Sequence, residues 1–261
     1  MLYLNQTSAK SATPSVIDPS SAQPRLSPEA VHLWWLTLQP LGESTSVSGA
    51  LHGSSVLSLD ERRRAERLRC PRRARRFSLG RAHLRHILAH YLEQAPDAIR
   101  FAYTTNGKPY LPDAPQLFFS LAHADDVGLL AIAHGRRVGV DVELPGCAER
   151  WLAVARRCLP KAEYRRLWRL PELERPLAMR RCWTRQEAWL KASGEAALRR
   201  LLQMDMPLEI PCAATAPRFT IHDTQGRTWL MQDVSRGPAC ATLVVEWQPD
   251  EPIAVLAFGQ S

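Results

Sequence analysis

The sequence lacks the cysteine pattern of a zinc-binding or disulfide-rich domain. Its six cysteines include no Cys-x-x-Cys pair, and none stands at ligand spacing from a histidine. It also lacks an apolar run long enough to cross a bilayer. Residues 1–22 have no basic segment followed by a continuous apolar one, which a secretory signal would require. We therefore expect reduced thiols and a cytoplasmic protein without a membrane partner.

The composition indicates a globular protein with a substantial core. The chain has 261 residues, of which 45% are hydrophobic and 23% are charged, enough for one large domain or two smaller ones. The formal net charge is +8, mostly from arginine. That balance favours a polyanionic partner, which could be nucleic acid, a phosphorylated small molecule or an acidic protein.

The order of secondary-structure signals divides the chain near residue 137. We expect a flexible tail over residues 1–25, an N-terminal α+β half over 26–136 and a C-terminal α+β half over 137–261. Each half is predicted to run from a strand through helices to further strands. The predicted fold class is therefore α+β, with two similar halves and an active site between them.

Helix boundaries are marked by capping residues and prolines. A capping box over residues 58–61 predicts a helix that ends near Arg69. Further helices are predicted over 71–92, over 149–170 with an interruption at Pro160, and over 176–194.

Runs of apolar and β-branched residues predict the strands. Asn106-Gly107 predicts a turn, and residues 123–126 are predicted to link two strands. The predicted strands cover residues 31–38, 117–121, 127–133, 138–143, 218–223, 227–233, 240–247 and 253–258.

Two carboxylates lie in the strand over residues 138–143. Because a strand alternates its faces, Asp141 and Glu143 share one side, and Val140 and Val142 point the other way. The pattern also suits a solvated strand face. A valine-rich strand, however, is typical of a buried position, where carboxylates need a cation.

A third carboxylate lies on the helix over residues 176–194. Glu187 and Lys191 are one turn apart on one face, which is also the commonest arrangement of a surface ion pair. Trp183, Trp189 and Leu190 surround them, which is unusual for a solvated face. If strand and helix meet, three acidic oxygen donors converge beside one ammonium, which suits Mg²⁺ and a pyrophosphate.

The chain resembles the 4′-phosphopantetheinyl transferases of the Sfp type. The resemblance depends on Gly139-Val140-Asp141-Val142-Glu143 and on Trp183-Thr184-x-x-Glu187-Ala188-x-x-Lys191-x-x-Gly194. Weaker support comes from Gly107-Lys108-Pro109 and from Phe119-Ser120-Leu121-Ala122-His123. The resemblance implies transfer of phosphopantetheine from coenzyme A to a serine of an acidic carrier protein by a monomeric, Mg²⁺- or Mn²⁺-dependent enzyme.

The resemblance also implies roles for particular residues. It makes Asp141, Glu143 and Glu187 the metal ligands and places Lys191 at the α-phosphate. The coenzyme A site would be lined by Gly107, Lys108, Pro109, His123 and Arg64. The general base would be Glu187 or, by family similarity, Glu163.

Three residues depart from the family pattern. Gln186 replaces the usual lysine, and Ala122 replaces the usual serine before His123. Glu61 falls near the expected position of a phosphate-binding cation. These departures leave open a catalytically silent scaffold that binds coenzyme A or a carrier protein. A nucleic-acid-binding protein would use the arginines of residues 62–85 but would leave the carboxylates and Lys191 without a purpose, so we expect no nucleic-acid partner.

Overall fold

The structure is a computed structural model that describes residues 15–17, 25–39, 55–194, 218–249 and 251–259. These residues form five α-helices and two main β-sheets. The predicted α+β class is therefore confirmed, while the similarity of the two halves stays a prediction. The predicted strand over 31–38 is observed as Ala30–Thr37.

The larger sheet has five strands in the order β1-β11-β2-β6-β5. Strands β2, β6 and β5 pair antiparallel, whereas β11 is parallel to both β2 and β1. The strands are β1 (Ser15–Ile17), β2 (Ala30–Thr37), β5 (Leu117–Ala124), β6 (Val127–His134) and β11 (Ala254–Phe258).

The smaller sheet has four antiparallel strands in the order β7-β10-β9-β8. They are β7 (Val138–Glu143), β8 (Arg218–His222), β9 (Thr228–Asp233) and β10 (Cys240–Trp247). A separate pair, β3 (Ala102–Tyr103) and β4 (Pro109–Tyr110), flanks the predicted turn at Asn106-Gly107. Gly107 has φ +76°, a conformation that glycine adopts without strain.

The helices begin and end close to the predicted positions. The Ser58 hydroxyl and the Glu61 carboxylate form the predicted capping box, and Gly194 ends α5 in the left-handed conformation. The first helix stops earlier than expected, and the predicted helix over 149–170 is two helices separated at Pro160. The helices are α1 (Leu59–Glu66), α2 (Pro71–Leu92), α3 (Ala148–Cys158), α4 (Lys161–Arg169) and α5 (Arg175–Ser193).

The two sheets pack face to face, with helices on their outer faces. Valines 138, 140 and 142 of β7 lie in the core between the sheets, together with residues of β2, β6 and β10. A second core joins α2 to the larger sheet, and a third joins α3, α4 and α5 to the smaller one. The alternation predicted for β7 is thus confirmed on its valine side.

Three sequence expectations need correction. Strand β11 lies in the range assigned to the C-terminal half, yet it pairs with β2 in the larger sheet. Ser15–Ile17 lie in the predicted tail but form β1 beside β11; most of that tail is outside the described residues. His123 lies within β5 and not in a link, because the strand continues to Ala124 and turns at Asp125, which has φ +47°.

None of the helices in the described parts of the chain is long and apolar enough to cross a membrane.

Candidate active site

The centre of the site is a close contact between β7 and α5. A Cβ atom on Gly139 would lie 2.1 Å from the Ala188 carbonyl oxygen and 2.4 Å from the Ala192 nitrogen. Real Cβ atoms do not approach so closely, so only glycine permits this packing. Since Gly139, Asp141 and Glu143 share one face of the strand, the contact places both carboxylates toward α5.

Asp141 forms an ion pair with Lys191 across this contact. The Lys191 ammonium donates to Asp141 Oδ1 over 2.7 Å. Asp141 is 7% exposed, and its Oδ2 is buried without a hydrogen-bond partner among the described residues. Burial raises the pKa of Asp141, and Lys191 offsets only part of that effect.

Glu143 and Glu187 are close enough to Asp141 to respond to its charge. Burial, followed by repulsion from Asp141, raises the pKa of Glu143 to about 6. Burial also raises the pKa of Glu187, with Lys191 opposing the shift and Asp141 adding to it. The Trp183 side chain hydrogen-bonds Glu143, which fixes that carboxylate against α5.

The predicted metal ligands are near one another but are not assembled into a metal centre. Among the described residues, no group of three or more histidine, cysteine or carboxylate side chains is arranged to hold a metal ion. The donor set nevertheless fits a hard cation. It offers carboxylate oxygens only, one of which, Asp141 Oδ2, is buried and lacks a partner.

A cavity of about 580 Å³ opens beside the Asp141–Lys191 pair. Its walls come from α1, α2, the β3–β4 turn, β5 and the end of α5. Every residue predicted to contact the nucleotide lines it: Arg64, Gly107, Lys108, Pro109, His123 and Lys191. A volume of this size is typical of a site for a small molecule.

The cavity lies where the edge strands of the two sheets, β5 and β7, come together. Strands β5 and β7 are edge strands of their respective sheets, and the Val140 amide donates to Ser120 Oγ over 3.2 Å. Ser120 and His123 line the cavity from β5, and the His123 charge acts on Asp141. The carboxylates therefore lie at one side of a cavity with cationic groups.

The cationic residues of the cavity differ in their partners. Arg64 stands over the Phe77 ring, 5.3 Å from its centroid, and has no carboxylate partner within the described ranges. Arg81 is paired with Glu61 over 2.6 Å. Arg64 and His123 are therefore better placed than Arg81 to receive a phosphate.

Neither candidate base lines the cavity. Glu187 is within reach of the charges of Lys191 and Asp141, and the second candidate is Glu163. It lies on α4 and is 4% exposed. Its Oε1 accepts a hydrogen bond from Arg166 over 2.6 Å, and its charge acts on Cys182 within the core. These contacts suit a structural group more than a proton acceptor at the cavity.

None of the three departures from the family pattern lines this cavity, although Glu61 bonds Arg81 in its wall. Gln186 is completely buried, and both its amide atoms lack partners among the described residues. Ala122 packs in the core between the sheets. Glu61 is buried and bonds two arginines of α2, Arg81 and Arg85, so it holds α1 against α2.

Sequence reasoning did not assign some of the cavity residues. Phe77 lies in the helix predicted over 71–92 and lines the cavity, as do Arg81, Tyr103 and Leu190. Tyr103 accepts a hydrogen bond from Arg81 over 3.0 Å. Nothing in the spacing of these residues distinguishes them from ordinary core or surface positions.

Comparison with known proteins agrees with the geometry of the site. The sequence is 32% identical to the 4′-phosphopantetheinyl transferase HetI of Nostoc sp. over 228 residues, which are 85% of this chain and 91% of that protein. The chain belongs to the 4′-phosphopantetheinyl transferase family. It is therefore an enzyme of the transferase class.

Other comparisons cover the region around the carboxylates. The 4′-phosphopantetheinyl transferase superfamily profile matches residues 137–244, which include β7 and α5. The transferase psf-1 of Bacillus pumilus is 29% identical over 61% of this chain and 67% of that protein. Sfp of Bacillus subtilis is 26% identical over 54% of this chain and 62% of that protein.

Proposed function

We propose that this transferase moves 4′-phosphopantetheine from coenzyme A to a serine of an apo carrier protein. The products are the holo carrier protein and 3′,5′-ADP. The observation that supports the proposal best is the cavity lined by Arg64, His123 and Lys191 directly beside the Asp141–Lys191 pair. Such a site can bind a nucleotide and stabilise charge on a pyrophosphate.

The nucleotide end of coenzyme A would occupy the cavity. Arg64 and His123 would bind its phosphates, since a guanidinium and an imidazole N–H both donate to phosphate oxygens. The chain at Gly107, Lys108 and Pro109 would border the adenine. Phe77 and Tyr103 supply aromatic surface in the same cavity.

Asp141, Glu143 and Glu187 would hold Mg²⁺ or Mn²⁺. A bound divalent cation would neutralise charge on the pyrophosphate oxygens. Burial raises the pKa of all three carboxylates, and the neighbouring cations offset only part of that effect. A second cation at this place is therefore electrostatically favourable.

The chemistry is attack by the serine oxygen on the β-phosphorus, which bears the pantetheine. A new P–O bond forms to serine, and the bond from the β-phosphorus to the bridging oxygen breaks, so 3′,5′-ADP leaves with the electron pair. Lys191 would stabilise the charge on the α-phosphate. Glu187 would accept the serine proton, because its raised pKa makes it a stronger base than an exposed glutamate.

The protein partner would be an acidic carrier protein. The formal charge of +8 favours such a partner, because complementary charge speeds association. We also propose that the protein is a cytoplasmic monomer and that it has no nucleic-acid partner.

The test is the intact mass of an apo carrier protein after incubation with the enzyme, coenzyme A and Mg²⁺. We expect a gain of one phosphopantetheine that EDTA abolishes. Binding of coenzyme A without any gain across several carrier types would contradict the proposal and indicate a silent scaffold. Absence of both binding and transfer would contradict the coenzyme A site as well.

A further inference from the structure

The C-terminal end of α5 is held by side chains from elsewhere in the chain. A helix leaves its last carbonyl oxygens without partners inside the helix, and the helix dipole makes this end negative. Here the Lys108 ammonium donates to the Lys191 carbonyl oxygen. Asn106 Nδ2 donates to the Gly194 carbonyl over 2.9 Å, and Arg137 donates to the Ser193 carbonyl over 3.2 Å.

Lys108 differs from the other two capping residues because it joins both elements of the site. Its ammonium also donates to the Val138 carbonyl at the start of β7, over 3.2 Å. It thus connects the helix residue that pairs with Asp141 to the strand that contains Asp141.

The surroundings of Lys108 explain why its ammonium is directed to carbonyl groups. Burial, with added repulsion from Arg137 and Lys191, lowers the pKa of Lys108 to about 8. No carboxylate pairs with it in the described parts of the chain. The hydrogen bonds to two carbonyl oxygens therefore offset the cost of burying the Lys108 ammonium. If the ammonium turned toward a phosphate in the cavity, both carbonyl oxygens would lose this donor.

We propose that Lys108 is a positioning residue whose ammonium caps α5 and fixes Lys191 beside Asp141, and that it does not bind a phosphate of the substrate. The kinetic consequence of this inference rests on the proposed function, whereas its structural consequence does not. The backbone at residues 107–109 still borders the cavity. Only the lysine side chain receives a different role.

The structural test is hydrogen exchange of backbone amides in the free enzyme. In Lys108→Met, the loss of a charged donor at two carbonyls is expected to speed exchange in the last two turns of α5 by about tenfold or more. Lys108→Arg, which retains the charge and the donors, should restore slow exchange. Lys161→Met is the matched control, because Lys161 is exposed at the start of α4 and lies outside the cavity lining.

The kinetic test separates positioning from phosphate binding. In Lys108→Met, displacement of Lys191 is expected to lower kcat by about tenfold or more. The factor should be the same with coenzyme A and with 3′-dephospho-coenzyme A as substrate. The Kd for coenzyme A, measured by calorimetry, should change less than tenfold. Should Lys108→Met fail to fold, Lys108→Gln, which retains an amide donor without the charge, takes its place.

Two results would overturn the inference. One is unchanged amide exchange in the last turns of α5. The other is a loss of coenzyme A affinity of tenfold or more, which would make Lys108 a phosphate ligand. If the wild-type enzyme transferred nothing, the proposed function would fail, while the exchange result would still decide the capping role.

Discussion

Two clusters of charged side chains in this enzyme differ in how completely their carboxylates are paired. Glu61 is 2% exposed and faces two arginines, with 2.6 Å to Arg81 and 2.8 Å to Arg85. At the candidate site, Lys191 pairs with Asp141, and within the described residues Glu143 and Glu187 have no ion-pair partner, although the charge of Arg150 acts on Glu143 and that of His123 on Asp141.

The difference is visible in the direction of the pKa shifts. Burial by itself would raise the pKa of Glu61, but the charge of Arg81 and the hydrogen bonds from Ser58 and Arg85 hold it below its usual value. The pKa values of Asp141, Glu143 and Glu187 are all raised. The first cluster is complete without a ligand and joins two helices. In the second, the neighbouring cations offset only part of the effect of burial, which supports the proposal that this site binds a cation and a phosphate ester.

The largest expected effect is on catalysis and comes from Asp141→Asn. The substitution removes one proposed metal ligand and the partner of Lys191, and we expect transfer to fall by at least about 100-fold. The free energy of unfolding should not fall, because a buried carboxylate that repels two others is lost. Intact-mass assays and urea unfolding measure the two effects separately.

Asp113→Asn is the control for that variant, since Asp113 is half exposed and pairs with Arg100 at the surface. It should retain full transfer. Equal activity of Asp141→Asn and Asp113→Asn would rule out the assigned role of Asp141.

In Glu61→Gln, unlike Asp141→Asn, the expected effect is a loss of stability. This change leaves two buried guanidinium groups without their carboxylate, and we expect a loss of about 3–5 kcal/mol. Urea unfolding measures it, with Glu172→Gln in an exposed 3-10 helix as control. A loss below 1 kcal/mol would mean that Glu61 is not the structural anchor of α1.

A smaller loss of stability is expected from Gly139→Ala. The added methyl group collides with the backbone of α5 at Ala188 and Ala192, and overpacking of this kind costs about 1–3 kcal/mol. Transfer should also fall, because α5 moves away from Asp141. Gly80→Ala is the matched control for stability, since its Cβ meets only Leu121 at 3.9 Å; a similar loss of stability in both variants would contradict the close contact.

The smallest expected effect is a pH dependence of stability in the metal-free enzyme. Glu143 has its pKa raised from 4.5 to about 6, so the folded state binds this proton more tightly than the unfolded chain. The free energy of unfolding should therefore fall by about 1–2 kcal/mol between pH 4.5 and pH 6, relative to Glu143→Gln. Glu61 has the opposite sign, because its stabilising effect is lost as the pH falls.

The measurement is urea unfolding of both proteins in EDTA across that pH range. Parallel curves for wild type and Glu143→Gln would contradict the raised pKa.

The sequence predicted the local parts of the site well. The alternation of β7, the capping box of α1 and the glycine end of α5 depend on neighbouring residues, so they follow from spacing. Arg64, Lys108 and His123, which the family resemblance places at coenzyme A, line one cavity, and their contact with coenzyme A stays a prediction.

Long-range pairing was not predictable in the same way. No local signal distinguishes β11 as a strand of the larger sheet, because its partner β2 lies more than 200 residues earlier in the chain. The same holds for Glu61, which the sequence places among arginines without indicating which of them it bonds. The capping role of Lys108 depends on carbonyl groups of two distant elements.

The most direct test of the contrast between the two clusters is the effect of Mg²⁺ on stability in the presence of coenzyme A. We predict that saturating Mg²⁺ raises the free energy of unfolding of the wild type by about 2–3 kcal/mol at 100 times its Kd, and that Asp141→Asn loses this increase. An equal increase in both proteins, or none in the wild type, would contradict the claim that the three carboxylates form a cation site.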